Sequence, residues 1–195
     1  ALNQLAPVVL RVNTLKISRN DLQKELIKEN IETQVLKDYP DALQLVKRSN
    51  VFLSEAFKKG LFEVQDASSQ KVAPFLEVEK GMRVVDCCAG AGGKTLHLSA
   101  LMQNKGQLIA MDIYENKLFE LKRRAKRNEA FNIETKVVDV KNIKRWQETF
   151  DRVLIDAPCS GLGVLRRNPD AKWKLKPEFI DEIRATQQEK KKKYS

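Results

Sequence analysis

The chain has 195 residues, of which 42% are hydrophobic, enough to bury one large or two small cores. It carries 36 Lys and Arg residues against 26 Asp and Glu residues, and its formal net charge of +10 favours a polyanionic partner over a small neutral one. No apolar run approaches the roughly 20 residues that a membrane-spanning helix requires, so we expect no membrane attachment.

Residues 1–66 predict a small α+β module with the order strand, helix, strand, strand, helix, strand. Ser18 and Asp21 have the spacing of a capping box, so a helix is expected to begin there. The apolar face of this helix is expected to hold Leu22, Leu26 and Ile27. The strands are expected at residues 8–13, 32–37, 42–46 and 61–64, and a second helix between Ser54 and Gly60.

Residues 67–195 predict a different architecture, in which strands and helices alternate regularly. Such alternation is typical of a parallel sheet covered by helices on both faces. The expected fold class is therefore α/β, a Rossmann-like sheet preceded by the small module. The helices are expected at residues 67–76, 95–102, 115–129 and 178–189, and the strands at residues 83–87, 107–111, 135–138 and 152–155.

Acidic residues follow four successive strands of this predicted sheet: Asp86, Asp112, Asp139 and Asp156. The carboxyl ends of parallel strands meet at one edge of a sheet, where open α/β sheets bind their ligands. A glycine-rich turn follows the first of these strands. The sequence therefore predicts a ligand site at this edge.

The glycine-rich turn only partly matches the known phosphate-binding motifs. A P-loop ending in Gly93-Lys94-Thr95 would need a glycine where Cys88 stands, and a dinucleotide fingerprint beginning at Gly90 would need one at Thr95. A glycine turn without phosphate contacts suits an adenosyl cofactor. Asp112 is placed to accept hydrogen bonds from ribose hydroxyls, and Asp139 to reach the adenine edge. We therefore expect S-adenosylmethionine as the cofactor.

Four segments resemble the Sun (Fmu) family of RNA cytosine-5 methyltransferases, in particular its bacterial ribosomal RNA branch. They are Asp86-Cys-Cys-Ala-Gly-Ala-Gly-Gly-Lys-Thr95, Ala110-Met-Asp112, Asp156-Ala-Pro-Cys-Ser-Gly161 and Arg166-Arg-Asn-Pro-Asp-Ala-Lys-Trp173. Leu10-Arg-Val-Asn-Thr-Leu-Lys16 and Val64-Gln-Asp-Ala-Ser-Ser69 look like the RNA-recognition-like module of that family. The resemblance implies domains at residues 1–66, which bind RNA, and 67–195, the methyltransferase domain without its last strands.

The resemblance also implies the function: transfer of a methyl group from S-adenosylmethionine to position 5 of cytosine in RNA, through a covalent cysteine–cytosine adduct. Asp156 would contact the cytosine, Cys159 would assist product release, and Lys94 would lie near base and cofactor. The expected cofactor-binding residues are Asp86, Cys88, Ala89, Gly90, Ala91, Gly92, Gly93, Lys94, Asp112, Asp139 and Asp156. The expected RNA-binding residues are Arg166, Arg167, Lys172 and Trp173, and phosphate contacts are expected for the basic ones and for Lys174.

The nucleophile of this family is a cysteine in a later Thr-Cys motif, which does not occur in the 195 residues. We therefore expect the chain to stop before that motif and to be inactive alone. Two alternatives stay open. A DNA methyltransferase would use Cys159 as its nucleophile, and a non-catalytic RNA-binding or ribosome assembly protein would keep the pocket without using it.

Several expectations concern single residues outside the motifs. The family usually has Pro where Ala91 stands, and apolar residues where Lys190 to Lys193 stand. His97 is expected to be packed or at the surface, not a ligand. With three unpaired cysteines, the sequence predicts a reducing, cytoplasmic compartment, no metal site and a monomer. The basic residues of the predicted helix 115–129 are expected to form a solvated face: Lys117, Lys122, Arg123, Arg124, Lys126 and Arg127.

Overall fold

The computed structural model describes residues 6–139, 146, 148–157, 159, 161 and 177–194. The chain divides into two compact units: Val8–Leu154 is one, and Ala1–Pro7 with Ile155–Ser195 is the other. The described part of the larger unit holds two four-stranded sheets. The described part of the smaller unit contains one helix.

The first sheet is antiparallel, with the strand order β2-β3-β1-β4. This is the small α+β module that the sequence predicts. Its core contains Leu10, Leu43 and Phe62, which are fully buried. Its elements are β1 (Val9–Val12), α1 (Arg19–Lys28), β2 (Thr33–Val35), β3 (Ala42–Leu45), a 3-10 helix (Val51–Leu53), α2 (Glu55–Lys58) and β4 (Phe62–Val64).

Helix α1 begins where the sequence predicts. The Ser18 Oγ accepts a hydrogen bond of 3.2 Å from the Asp21 backbone N–H, which satisfies one of the unpaired donors of the first turn. Leu22 and Leu26 are fully buried, but Ile27 is 58% exposed, so its predicted place on the apolar face is wrong. One residue turns a helix by about 100°, which carries Ile27 away from the stripe that Leu22 and Leu26 share.

The predicted single helix at residues 67–76 is two short helices, α3 (Ala67–Gln70) and α4 (Val72–Phe75). Pro74 has no N–H to donate to the Gln70 carbonyl, and its ring crowds that carbonyl, so a continuous helix cannot form through this point.

The second sheet is parallel, with the strand order β7-β6-β5-β8, as the alternation of strands and helices predicts. The chain runs from β5 outward to β6 and β7, and then returns to the other side of β5. The carboxyl end of β5 therefore lies at the point where the strand order reverses, the usual ligand position in such sheets. The elements are β5 (Arg83–Asp86), α5 (Gly93–Leu101), β6 (Gln107–Asp112), α6 (Glu115–Asn128), β7 (Ile133–Val137), β8 (Arg152–Leu154) and, in the smaller unit, α7 (Pro177–Tyr194).

Helices cover the parallel sheet through two apolar clusters. One cluster contains Val84 and Leu108 of the sheet with Leu98 of α5, and the other contains Ala110 of the sheet with Leu121 of α6. Helix α5 is buried at six consecutive positions, from Thr95 to Ala100, which is typical of a helix enclosed on all sides. In the part of the chain that the structure describes, no helix is both long and apolar enough to cross a membrane.

Candidate cofactor site

The glycine turn joins the end of β5 to the start of α5 and is hydrogen-bonded to both neighbouring strands. The Cys87 N–H donates to the Leu154 carbonyl at 2.9 Å, and the Ala89 N–H donates to the Met111 carbonyl at 2.8 Å. Gly90 and Gly92 have φ values of +53° and +89°, a region that glycine occupies without strain. The turn is thereby held at the carboxyl edge of the sheet.

Asp86 organises the turn from the inside. It is 1% exposed, and its Oδ2 accepts a hydrogen bond of 2.8 Å from the Thr95 hydroxyl. Its Oδ1 accepts a longer bond of 3.3 Å from the Cys88 N–H. The carboxylate therefore connects the end of β5 to the first turn of α5.

Asp112, at the end of β6, contacts the same turn. Its Oδ2 accepts a hydrogen bond of 2.8 Å from the Gly90 N–H, and its Oδ1 accepts one of 2.9 Å from the Tyr114 N–H. Because a carboxylate offers about four acceptor sites, each oxygen keeps capacity for a further donor such as a ribose hydroxyl. The tips of β5 and β6 thus converge as the sequence predicts.

The two left-handed glycines face different surroundings. A Cβ on Gly92 would lie 2.6 Å from the Leu121 Cγ, so α6 packs directly against this position. A Cβ on Gly90 would meet no atom within 4 Å. The turn therefore leaves open space beside Gly90, next to the Asp112 carboxylate. The Asp112 carboxylate beside this space can accept a ribose hydroxyl, so the residues present suit an adenosyl cofactor.

The other predicted site residues are spread over both units. Cys88, Ala91, Gly93 and Lys94 are half-buried on the turn, and Ala89 is buried. Asp139 is exposed and lies two residues beyond β7. Asp156 and Cys159 are also exposed and belong to the smaller unit. The predicted RNA contacts lie outside the described residues: Arg166, Arg167, Lys172 and Trp173.

Arg11 of β1 is a contact that sequence reasoning missed. It is 2% exposed, and its Nη1 donates a hydrogen bond of 2.5 Å to the Gly93 carbonyl in the glycine turn. The same nitrogen donates to the Gln65 side chain. Burial lowers the pKa of Arg11 to about 10, against the opposing charge of Glu63, so the guanidinium stays protonated at neutral pH.

Arg124 of α6 makes a second contact of this kind. Its Nη1 donates a hydrogen bond of 2.7 Å to the Ala91 carbonyl, and its Nη2 donates one of 2.8 Å to the Glu63 carboxylate on β4. Arg127 and Asn128 also donate to Glu63. Burial alone would raise the pKa of Glu63, but these two arginines and the Asn128 amide outweigh it and hold the pKa below its usual value.

The expected solvated face of α6 is therefore wrong for Arg124 and Arg127, which are half-buried against Glu63. The prediction is right for Lys117, Lys122, Arg123 and Lys126, which are exposed. Charged residues inside short apolar strands, Arg11 in β1 and Glu63 in β4, were the available signal. Both are buried among hydrophobic neighbours and so need partners.

Asn13 fixes the small sheet against α6. Its Nδ2 donates hydrogen bonds to the carbonyls of Gly60, at 2.8 Å, and Asn128, at 2.9 Å. At Gly60, a Cβ would lie 2.0 Å from the Arg127 carbonyl oxygen, and φ is +68°. Only glycine therefore allows this close approach of the two backbones.

His97 lies inside α5, away from the turn. It is 3% exposed, as the expectation of a packed residue allows, and its Nε2 lies 3.5 Å from the Asp41 carboxylate. Burial lowers the pKa of His97, although Asp41 opposes this shift. Among the described residues, no group of three His, Cys, Asp or Glu side chains has the arrangement of a metal site.

Comparison with known proteins identifies the family. A family model described as 16S rRNA methyltransferase RsmB/F matches residues 73–192, and one described as the ferredoxin-like domain of RsmF/B-like methyltransferases matches residues 1–52. The ribosomal RNA small subunit methyltransferase B of Vibrio vulnificus (strain YJ016) is 35% identical over 191 residues, which cover 96% of this chain and 44% of that protein. The chain thus spans less than half the length of this relative.

Solved structures resemble the fold over most of the chain. The structure of PH0851 has a TM-score of 0.88 and 32% identity, and the match covers 93% of this chain and 42% of that one. NSun6 from Pyrococcus horikoshii, solved with the S-adenosylmethionine analogue SFG, has a TM-score of 0.78 and 22% identity, with 85% and 67% covered. The second of these supports the fold alone.

Proposed function

Because the chain belongs to the 16S rRNA methyltransferase RsmB/F family, we propose that it forms the cofactor-binding part of an enzyme that methylates position 5 of cytosine in ribosomal RNA. S-adenosylmethionine is the methyl donor of this family. The observation that supports the proposal most is the hydrogen bond of 2.8 Å between the Gly90 N–H and Asp112, beside the open space at Gly90.

In this proposal Asp112 accepts hydrogen bonds from the ribose hydroxyls and Asp139 approaches the adenine edge. Asp86 acts by holding the turn, because its carboxylate is buried and accepts hydrogen bonds from Thr95 and Cys88. The turn backbone, Cys88 to Lys94, contacts the remainder of the cofactor. The cofactor supplies a methyl group bound to a positively charged sulfur, which an electron-rich carbon can attack.

The proposed roles in catalysis follow the family motifs. Asp156 contacts the target cytosine, Lys94 lies near base and cofactor, and Cys159 assists release of the methylated product. The cysteine that forms the covalent bond with cytosine comes from a Thr-Cys motif, which the 195 residues do not contain. Phosphate contacts are proposed for the basic segment that includes Arg166, Arg167, Lys172 and Trp173.

Further features are proposed for the chain as a whole. We propose an RNA-binding module at residues 1–66, a methyltransferase domain at residues 67–195, a monomer, and a place in the cytoplasm, where ribosomal RNA is found. None of these features depends on the roles of individual site residues.

Two measurements test the proposal. Calorimetric titration of the chain with S-adenosylhomocysteine should give saturable binding. The full-length protein that carries this chain, given small-subunit ribosomal RNA and S-adenosylmethionine, should produce 5-methylcytosine detectable by mass spectrometry of the digested RNA. Cofactor binding without methyl transfer would favour a non-catalytic assembly protein, and transfer to matched DNA alone would favour a DNA methyltransferase.

A further inference from the structure

A groove runs between the small sheet and helix α6, and neither the cofactor nor the family motifs account for it. Its volume is about 780 Å3, within the range of about 300–1,000 Å3 that is common for small-molecule sites. One wall consists of the 3-10 helix, α2 and β4, and the other wall is α6. All of these elements belong to the larger unit.

The α6 wall is a single stripe of the helix. Asn116, Phe119, Glu120, Arg123 and Arg127 line the groove at intervals of three and four residues, which places them on one face. From Asn116 to Arg127 this stripe is about 16 Å long, at 1.5 Å per residue. The buried face of α6, with Leu118, Leu121 and Ala125, points away from the groove and packs on the parallel sheet. The groove is therefore long enough for a short extended chain.

Aromatic rings lie on both walls of this groove. Phe52 is 55% exposed and Phe119 is 64% exposed, although both are large apolar side chains. Phe52 packs edge-on against Phe57 at 5.0 Å between ring centroids, and the Arg127 guanidinium lies 3.9 Å above Phe57. Phe52 is thus supported by Phe57, and both Phe52 and Phe119 keep exposed surface, as a platform for stacking a planar group requires.

Positive charge accompanies the rings. Helix α6 carries six basic and two acidic side chains among its 14 residues. Arg124 and Arg127 share the single carboxylate of Glu63, so these three groups retain one net positive charge. Arg123 is exposed and forms no ion pair with the residues that the structure describes. Glu120 also lines the groove, so its three arginines and two glutamates leave one net positive charge. This charge and the rings match the phosphates and bases of a nucleic acid strand.

We propose that this groove binds a single-stranded segment of the RNA substrate, with bases stacked on Phe52 and Phe119 and a phosphate on Arg123. The inference rests on the proposed function for its choice of RNA. An apolar peptide would need an apolar surface, whereas Arg124, Arg127 and Glu63 line this groove. Arg124 also holds the Ala91 carbonyl, so the groove and the glycine turn share a residue.

Binding of a fluorescent single-stranded RNA, measured by anisotropy, tests the groove. Phe119→Ala and Phe52→Ala should each weaken binding about tenfold, the typical loss for one stacked base. Arg123→Glu should weaken it further at low salt and flatten the dependence on salt concentration. The matched controls are Phe131→Ala, an exposed ring outside the groove, and Lys122→Glu, an exposed cation of α6 outside the groove. Both should bind like wild type.

The same variants in the full-length protein separate the two proposals. Suppose that wild type transfers methyl groups to RNA but the groove variants bind RNA as tightly as the controls do. This result would overturn the proposed role of the groove and leave the proposed function intact. No methyl transfer by wild type overturns the proposed function. RNA bearing 4-thiouridine provides a readout on wild type, which does not depend on whether a variant folds. Irradiation should crosslink this RNA to the peptide that contains Phe119 or to the one that contains Phe52. Attachment only elsewhere, or no RNA binding by wild type, overturns the groove.

Discussion

The guanidinium of Arg124 donates a hydrogen bond of 2.7 Å to the backbone carbonyl of Ala91, 33 residues earlier in the chain. The same guanidinium is held at 2.8 Å by Glu63 of the small sheet. Together with Arg11, whose Nη1 lies 2.5 Å from the Gly93 carbonyl, it fixes two carbonyls of the glycine turn. The small module therefore supports the cofactor turn in addition to any role in binding RNA.

Arg124→Met tests this support. It keeps an unbranched apolar stem but removes the guanidinium and its donors, and a hydrogen bond from a charged group contributes about 1.5–3 kcal/mol. We expect the affinity for S-adenosylhomocysteine, measured by calorimetry, to fall about tenfold or more. Lys122→Met, on the same helix and exposed, should bind as wild type does. An unchanged affinity in Arg124→Met would show that the turn keeps its shape without this bond.

Glu63→Gln should lower the free energy of unfolding by about 3 kcal/mol at pH 7, because it leaves the half-buried Arg124 and Arg127 without a counter-charge. Urea denaturation measures the change. The control is Glu55→Gln, whose carboxylate pairs with Lys58 at the surface and should give no measurable change. Equal effects of the two substitutions would contradict a structural role for Glu63.

The stabilisation by Glu63 should also depend on pH. The folded state holds the pKa of Glu63 below the ordinary value of 4.5. Near this pH the folded protein therefore binds fewer protons at Glu63 than the unfolded chain does. The contribution is therefore complete above about pH 4.5 and is lost as the pH falls through the folded pKa. Wild type and Glu63→Gln should converge in stability below pH 4.5. A constant difference down to pH 3 would contradict this linkage.

Gly90→Ala and Gly81→Ala form a matched pair. Both glycines have positive φ, +53° and +91°, and a Cβ at either meets no atom within 4 Å. Each substitution should therefore cost about 1–2 kcal/mol of backbone strain and leave the fold intact. Only Gly90 borders the proposed cofactor space, so only Gly90→Ala should weaken binding of S-adenosylhomocysteine in calorimetry. Equal affinities in the two variants would place the cofactor elsewhere.

The sequence predicts both sheets and most element positions, because these depend on local patterns. The Ser18 cap, the alternation of strands and helices, and the glycine turn all involve residues close together in the chain. Pro74 was also a local signal, and it explains why residues 67–76 form two helices where one was expected. Ile27 was wrongly expected on the buried face, because the buried stripe of α1 is narrow and includes Leu22 and Leu26 but not the residue that follows.

The partners of buried charges could not be predicted in this way. Arg124 and Glu63 are 61 residues apart, so no local pattern in the sequence pairs them. The docking of the small sheet on α6, through Asn13 and Gly60, is what brings Glu63 to Arg124. The sequence identified the strand-end acids Asp86 and Asp112. It could not show that Asp86 accepts a hydrogen bond from the Thr95 hydroxyl and Asp112 one from a backbone N–H of the turn.

A crystal structure of the chain with S-adenosylhomocysteine tests the central claim most directly. The ribose hydroxyl oxygens should lie about 2.5–3.2 Å from the Asp112 carboxylate, with the adenosine beside Gly90 at the carboxyl ends of β5 and β6. A ligand bound away from these strand ends, or a ribose without contact to Asp112, would contradict it.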